Sequence, residues 1–119
     1  MKLGIIGSRS FLDYHLLEVT INQFINTCTN SITHIVSGGA KGADTLANRY
    51  ADEKNIEMIV FKPDWKKYGK RAGFIRNTDI IETSDVIVAF WDGKSTGTKD
   101  SIDKALNLNK QVTIKKFTP

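Results

Sequence analysis

The chain has one cysteine, Cys28, and two prolines, Pro63 and Pro119, in 119 residues. A lone thiol makes no internal disulfide and, by itself, no thiolate metal site; its helical spacing from Leu17, Ile21 and Phe24 predicts a core position. Histidine is nearly as scarce. His15 and His34 fall in different predicted elements, so neither a metal nor a cofactor is expected, although magnesium accompanying a phosphate is compatible with the sequence. No apolar run exceeds a few residues; even 86–91 falls far short of the roughly 20 that a membrane-crossing helix needs, and no membrane partner is expected. The first residues place Lys2 ahead of a short strand-like stretch and Gly7, without a signal peptide's apolar core and small-residue cleavage site, so the expected location is cytoplasmic. Linkers, repeats and low-complexity tracts are missing too. Residues 1–119 therefore read as a single domain.

What the sequence does have is alternation. Apolar runs at 3–6, 33–37, 58–61, 85–90 and 111–114 read as strands. Between them, 13–28, a stretch from 43, 71–83 and 97–108 repeat apolar residues at helical spacing. The expected inward faces are Ala43, Leu46, Ala47, Tyr50 and Ala51, then Phe74, Ile75, Thr78 and Ile81, and last Ile102, Ala105 and Leu106. Residues 63–69 read as a polar and aromatic loop. Strands alternating with helices predict right-handed βαβ units, hence an α/β fold: a Rossmann-like three-layer α/β/α sandwich on a mostly parallel sheet of about five strands. Ligands of such sheets bind beyond the carboxyl ends of the strands, where strand order reverses. The unusual loops of this chain all fall at those ends.

The net charge of +4 is uneven. Residues 1–60 carry five Lys/Arg against six Asp/Glu, and residues 61–119 carry twelve against seven. Such asymmetry suits an anionic partner, whether a small phosphate or a nucleic-acid backbone, and equally a solvated surface.

Three loops carry the candidate chemistry. Gly7, Ser8, Arg9 and Ser10 follow the first strand, where glycine allows close approach and hydroxyls with a guanidinium can hold an oxyanion. Ser37, Gly38, Gly39, Ala40, Lys41, Gly42, Ala43 and Asp44 join the second strand to its helix. Three glycines in five residues can leave backbone N–H groups free for a phosphate at a helix N-terminus. This is neither a Walker loop nor a dinucleotide fingerprint. Asp44 is placed either to cap the helix or to bond a ribose hydroxyl. Trp91, Asp92, Gly93, Lys94, Ser95, Thr96, Gly97 and Thr98 follow the fourth strand and open the last helix at a second anion-ready terminus. Between these loops, Trp65 and Tyr68 lie among Lys62, Lys66, Lys67, Lys70 and Arg71, open either to stacking a base or to plugging the core. Arg76 and Asn77 lie on the third helix.

Taken together, Gly7-Ser8-Arg9, Ser37 to Asp44, Tyr68-Gly69-Lys70, Ala72 to Asn77 and Phe90 to Ser95 resemble, in order and across nearly the whole chain, the YspA-type branch of the SLOG superfamily. That superfamily includes the LOG phosphoribohydrolases, the DNA-processing protein DprA and nucleotide-signal sensors, so the resemblance implies a fold and a ligand class more directly than a reaction. It implies a nucleotide-derived phosphorylated small molecule, NAD- or ADP-ribose-derived or cyclic, that is sensed or sequestered. Its expected ligand-binding residues are Gly7, Ser8, Arg9, Ser37, Gly38, Gly39, Ala40, Gly42, Asp44, Trp65, Arg76, Asn77, Trp91, Asp92, Ser95, Gly97 and Thr98. Phosphates are expected at the loops of Gly38-Gly39 and Gly97-Thr98, ribose hydroxyls at Asp44 or Asp92, and the base under Trp65, Trp91 or Tyr68. The LOG hydrolases pair an arginine with a glutamate three residues after a Gly-Thr. Arg76 and Gly97-Thr98 match, but the glutamate position is Ser101, with Asp100 one residue early, so binding without turnover is the leading expectation and N-glycosidic hydrolysis the alternative. Single-stranded DNA binding, as in DprA, is a second alternative. A homo-oligomer is compatible with exposed helix faces.

Overall fold

A computed structural model describes residues 1–119. The elements are β1 (Lys2–Gly7), α1 (Tyr14–Thr27), β2 (His34–Gly38), α2 (Ala43–Glu53), β3 (Glu57–Phe61), the single turn α3 (Trp65–Tyr68), a 3₁₀ turn (Gly69–Arg71), α4 (Ala72–Thr83), β4 (Val86–Trp91), α5 (Thr96–Asn107) and β5 (Gln111–Lys116). The five strands form one sheet of order β3-β2-β1-β4-β5, and every neighbouring pair is parallel. This is the predicted Rossmann-like α/β/α sandwich.

Strand periodicity of two divides the core. Leu3 and Ile5 of β1 with Val86, Val88 and Phe90 of β4 face α1 and α2, where Leu17, Ile21, Ala47 and Tyr50 complete one cluster. Their alternates Ile6, Ile87 and Ala89 face α4 and α5 and pack on Ile80, Ile81, Ile102 and Ala105. Each fully buried aliphatic side chain contributes roughly 1.5–3 kcal/mol, so both helical layers are held by ordinary burial. α1 starts where Asp13 accepts from Leu16 N at 3.0 Å. The ammonium of Lys110 donates to the carbonyls of Ile81, Glu82 and Ser84 at 2.5, 3.0 and 2.6 Å, closing the C-terminal end of α4.

Four details differ from expectation. The predicted loop 63–69 is largely helical, because Asp64 caps a turn by accepting from Lys67 N at 3.1 Å. Helix α4 has the predicted period with a shifted phase: Ala72, Asn77, Ile80 and Ile81 are buried, whereas Phe74 is 46% exposed. The polar Asn77 displaces apolar neighbours from the inner face because its amide has a partner there. On α5, Leu106 is exposed while Ile102 and Ala105 point inward. Cys28 lies just past the end of α1 and is only half-buried.

The chain runs from β1 out to β2 and β3, then crosses back to β4 and β5. Strand order therefore reverses between β1 and β4, and at their carboxyl ends Ser8 N donates to Phe90 O at 2.9 Å. The cleft expected of such a sheet opens beside this bond.

Candidate functional site

Glycine at position 7 lets β1 run close to its neighbours: a Cβ there would lie 2.5 Å from Phe90 O and 2.7 Å from the Ala43 side chain. The chain then turns across the start of α2, where the carbonyl of buried Ser8 accepts from Phe11 N at 3.1 Å and Ala43 N at 3.3 Å. Gly42, at φ +79°, has no room for a side chain, since its Cβ would strike the carbonyls of Ser8 and Arg9. The first turn of α2 is thus directed at the β1 loop. Gly42 serves this close crossing.

Behind that crossing lies a buried polar relay. The Ser37 hydroxyl is 2.8 Å from Ile5 O and 2.9 Å from Asp44 Oδ1. A hydroxyl has one proton to give, so Ser37 donates to one of these two acceptors at a time. Burial pushes the Asp44 carboxyl above the usual carboxylate range, against the opposing bonds from Ser37 and Ala40 N and the charge of Arg76. Asp44 Oδ2 accepts from Ala40 N at 3.1 Å. The Arg76 guanidinium lies over Gly38, close to Asp44, where a Gly38 Cβ would collide with Nη1. Arg76 Nε donates to Asn77 Oδ1 at 3.1 Å, and Asn77 Nδ2 donates to Gly97 O at 3.2 Å. Nη1 is buried without a hydrogen-bond partner. Burial lowers the pKa of Arg76, Asp44 opposes this and Arg9 adds to it, yet a guanidinium remains charged. It is an incompletely paired cation on the cleft wall.

The β4–α5 loop is organised by Asp92. Its Oδ1 accepts from Lys94 N at 2.8 Å and Ser95 N at 2.7 Å, and its Oδ2 accepts from the Ser95 hydroxyl at 3.0 Å. These backbone bonds hold the carboxyl below its ordinary pKa. Asp92 N reaches Ser8 Oγ at 3.3 Å, and the Ser8 and Ser95 hydroxyls are 2.9 Å apart, joining the two loops across the switch point. Ser95 precedes α5 but makes no side-chain cap, so the first-turn N–H groups of α5 face the cleft without a capping side chain. Trp91 Nε1 donates to Ser95 O at 3.2 Å, and Lys116 Nζ sits 5.4 Å from the ring centroid. The indole is half-buried and packs on the α4/α5 side of the core.

These parts enclose a cavity of about 540 Å³, within the ordinary size of small-molecule sites. Of the residues expected to bind ligand, Gly7, Ser8 and Arg9 line it from the β1 loop, Ala40 from the β2–α2 loop, Asp44 from α2, and Trp65, Arg76 and Asn77 from α3 and α4. Ser95, Gly97 and Thr98 line it from the start of α5. The remaining six are off its wall. Ser37, Gly38, Gly42 and Asp92 stand behind the lining residues and hold them; Gly39 faces the Lys62 side chain, and Trp91 packs toward the core. Lys70, Gly73, Phe74 and Thr96 also line the cavity; none is in the expected ligand-binding set, although Lys70 and Thr96 belong to segments singled out for their chemistry. Lys70, Gly73 and Phe74 stand within the motif segments, but helical periodicity alone pointed Phe74 inward. Ser101, at the position of the hydrolases' glutamate, is buried on the wall, whereas Asp100 pairs with Lys104 at 2.7 Å outside it.

Three cations, Arg9, Lys70 and Arg76, therefore share the wall with one carboxyl, Asp44. Together with the open helix terminus this suits an anion. No helix is long and apolar enough to cross a membrane.

Comparison with known proteins agrees with this architecture. The family model described as "YspA, cpYpsA-related SLOG family" matches residues 1–68, from β1 to the end of α3. "Gene 61 protein" of Mycobacterium phage D29 is 36% identical over 77 residues, 60% of this chain and 62% of that protein. The match thus spans less than two thirds of the relative's length. No solved structure gives a significant match. With more than half its length matched by the family model, the chain belongs to the YspA, cpYpsA-related SLOG family.

Proposed function

We propose that the protein binds a nucleotide-derived phosphorylated small molecule in the cleft between β1 and β4, and senses or sequesters it. The observation that carries this reading is the charge of the cavity wall, where the half-buried guanidinium of Arg76 stands with Arg9 and Lys70 against a single carboxyl, Asp44. Such an excess of cations costs the free protein stability, and an anionic ligand offsets that cost. The phosphate lies against the first turn of α5, near Gly97 and Thr98, with Arg9 and Arg76 supplying charge and hydroxyls from Ser95 and Thr98 completing its bonds. Asp44 faces ribose hydroxyls, donating when protonated and accepting when ionised. Of the two glycine loops, the one at Gly38 supports Arg76 and the one at Gly97 meets the anion. The family assignment supports a nucleotide-related ligand, and sequestration of a signal requires no attached effector.

The test is to purify the protein from a nucleotide extract, denature it and identify the released ligand by mass spectrometry. One intact nucleotide retained by wild type and lost by Arg76→Met supports the reading. Wild type and variant retaining the same nucleotide equally would refute it.

Hydrolysis is the second reading, favoured by one observation: Asp44, the sole carboxyl on the wall, is pushed toward the protonated form that a departing base requires. Free base and a ribose phosphate accumulating with wild type, and not with Asp44→Asn, would establish it.

A further inference from the structure

The part of the cavity wall built by α3 and the start of α4 carries exposed aromatic rings, and their exposure has no packing explanation. Helix α3 is a single turn that buries none of its residues, yet it carries Trp65, 54% exposed. An indole acting as a plug over the core is buried; this one is not. On α4, Phe74 is 46% exposed on a helix whose inner face is occupied by Ala72, Asn77, Ile80 and Ile81. Both residues line the same cavity as Arg9, Arg76 and the start of α5, and so does Gly73. Beyond its own helix and chain neighbours, a Cβ at Gly73 would meet the Trp65 ring at 3.8 Å, so a longer side chain there would crowd the cavity beside that ring. Glycine near the start of a helix disfavours the helix relative to alanine, and nothing in the protein's own packing requires it here. Lys104 Nζ donates to Phe74 O at 2.8 Å and lies 5.9 Å from the Phe74 ring centroid, tying this wall to α5.

We infer that Trp65, Gly73 and Phe74 form a base-stacking subsite, so that the ligand presents a planar heteroaromatic ring at one end and its phosphate at the other. The inference rests on the anion site proposed above and assigns the base to α3 and α4; Trp91, packed toward the core, and Tyr68, off the wall, take no part. Stacking on an indole and a phenyl face depends on ring area and discriminates weakly among hydrogen-bonding edges. Purines are therefore held more tightly than pyrimidines.

The test compares adenosine 5′-monophosphate, uridine 5′-monophosphate, ribose 5-phosphate and adenosine by calorimetric titration, with tryptophan emission as a second signal. The adenine nucleotide should bind about tenfold more tightly than ribose 5-phosphate and more tightly than the uridine nucleotide. Trp65→Ala and Phe74→Ala should remove that advantage and leave ribose 5-phosphate binding unchanged, while Trp65→Phe retains most of it; Gly73→Leu should act as the alanine variants do. Equal binding of the adenine nucleotide and ribose 5-phosphate to wild type would overturn the stacking subsite and leave the anion site standing. Equal binding of the adenine nucleotide and adenosine, with none of ribose 5-phosphate, would do the reverse. No response to any probe would overturn both.

Discussion

The side-chain amide of Asn77 donates to the carbonyl of Gly97 at 3.2 Å while its oxygen accepts from Arg76 Nε at 3.1 Å. One buried residue of α4 therefore fixes both the guanidinium on the cleft wall and the first turn of α5. Replacing it by leucine, similar in size and without polar atoms, leaves the Gly97 carbonyl and Arg76 Nε without their partner. The expected loss is about 1–3 kcal/mol of stability, read by urea unfolding, together with weaker nucleotide binding by calorimetry. Asn77→Asp should keep the acceptor for Arg76 but lose the donor to Gly97, and fall between the two.

Arg76 predicts a different pattern. Its Nη1 is buried and without a hydrogen-bond partner, so Arg76→Met removes an incompletely paired charge but also takes away the Nε bond to Asn77 Oδ1 and the cation beside Asp44. These effects oppose one another. The melting temperature of the ligand-free variant should therefore differ little from that of wild type, while nucleotide affinity falls by more than tenfold. A thermal scan with and without ligand reads both: wild type is raised by ligand and the variant is not.

Two carboxyls at this sheet edge should respond to pH with opposite signs. Asp44 has its pKa raised by burial, so the native state holds its proton more tightly than the unfolded chain does. The stabilisation this represents is complete below about pH 4 and is lost as pH rises through the elevated pKa. Asp44→Asn stays neutral throughout, so its melting temperature relative to wild type should climb as pH rises above about 4. Asp92 has its pKa lowered by the amides of Ser95 and Lys94; its contribution is present above about pH 4 and disappears in acid. Asp92→Ala should destabilise at neutral pH and converge on wild type as pH falls.

How much of this was legible beforehand follows from which forces act locally. Alternating strands and helices, and the cleft at the carboxyl ends, follow from apolar spacing and the handedness of βαβ units, so the element order and the parallel sheet could be read directly. Phe74 and Asn77 could not, because which face of α4 turns inward depends on whether the Asn77 amide finds Gly97 O, and that carbonyl is supplied by a helix twenty residues later. The role of the first glycine loop was hidden for a similar reason. Glycines at 38 and 42 read as room for a phosphate, but the space is taken by the protein's own Arg76 and by the carbonyls of Ser8 and Arg9. The helical turn at Trp65 was masked by Pro63 and a high density of charge, which hid the Asp64 cap.

Lys110 gives a prediction independent of ligand. Its ammonium donates to the carbonyls of Ile81, Glu82 and Ser84 at the C-terminal end of α4, where cationic donors offset both the helix dipole and unpaired carbonyls. Lys110→Met should cost about 1–2 kcal/mol in urea unfolding and leave nucleotide affinity unchanged, because none of these groups lines the cavity. An equal loss of affinity would mean that the α4 terminus and the cleft are coupled.

The sharpest separation of support from contact comes from Gly38. It does not line the cavity, yet a Cβ there would collide with Arg76 Nη1 and lie 2.8 Å from Asp44 Oδ2. The obstructed group at Arg76 is the far end of a flexible side chain, so Gly38→Ala should be accommodated by moving the guanidinium, at a stability cost of no more than about 1–2 kcal/mol. The functional cost should be larger, about tenfold in nucleotide affinity, because the displaced cation no longer faces the anion. Gly39→Ala supplies the control: its Cβ meets only the Lys62 side chain, at 3.1 Å, and binding should be unchanged. Gly38→Ala combined with Arg76→Met should bind no more weakly than Arg76→Met alone, since the methyl group acts through a guanidinium that is no longer there. If the two losses add in full, Gly38 acts on the ligand by a route that does not pass through Arg76.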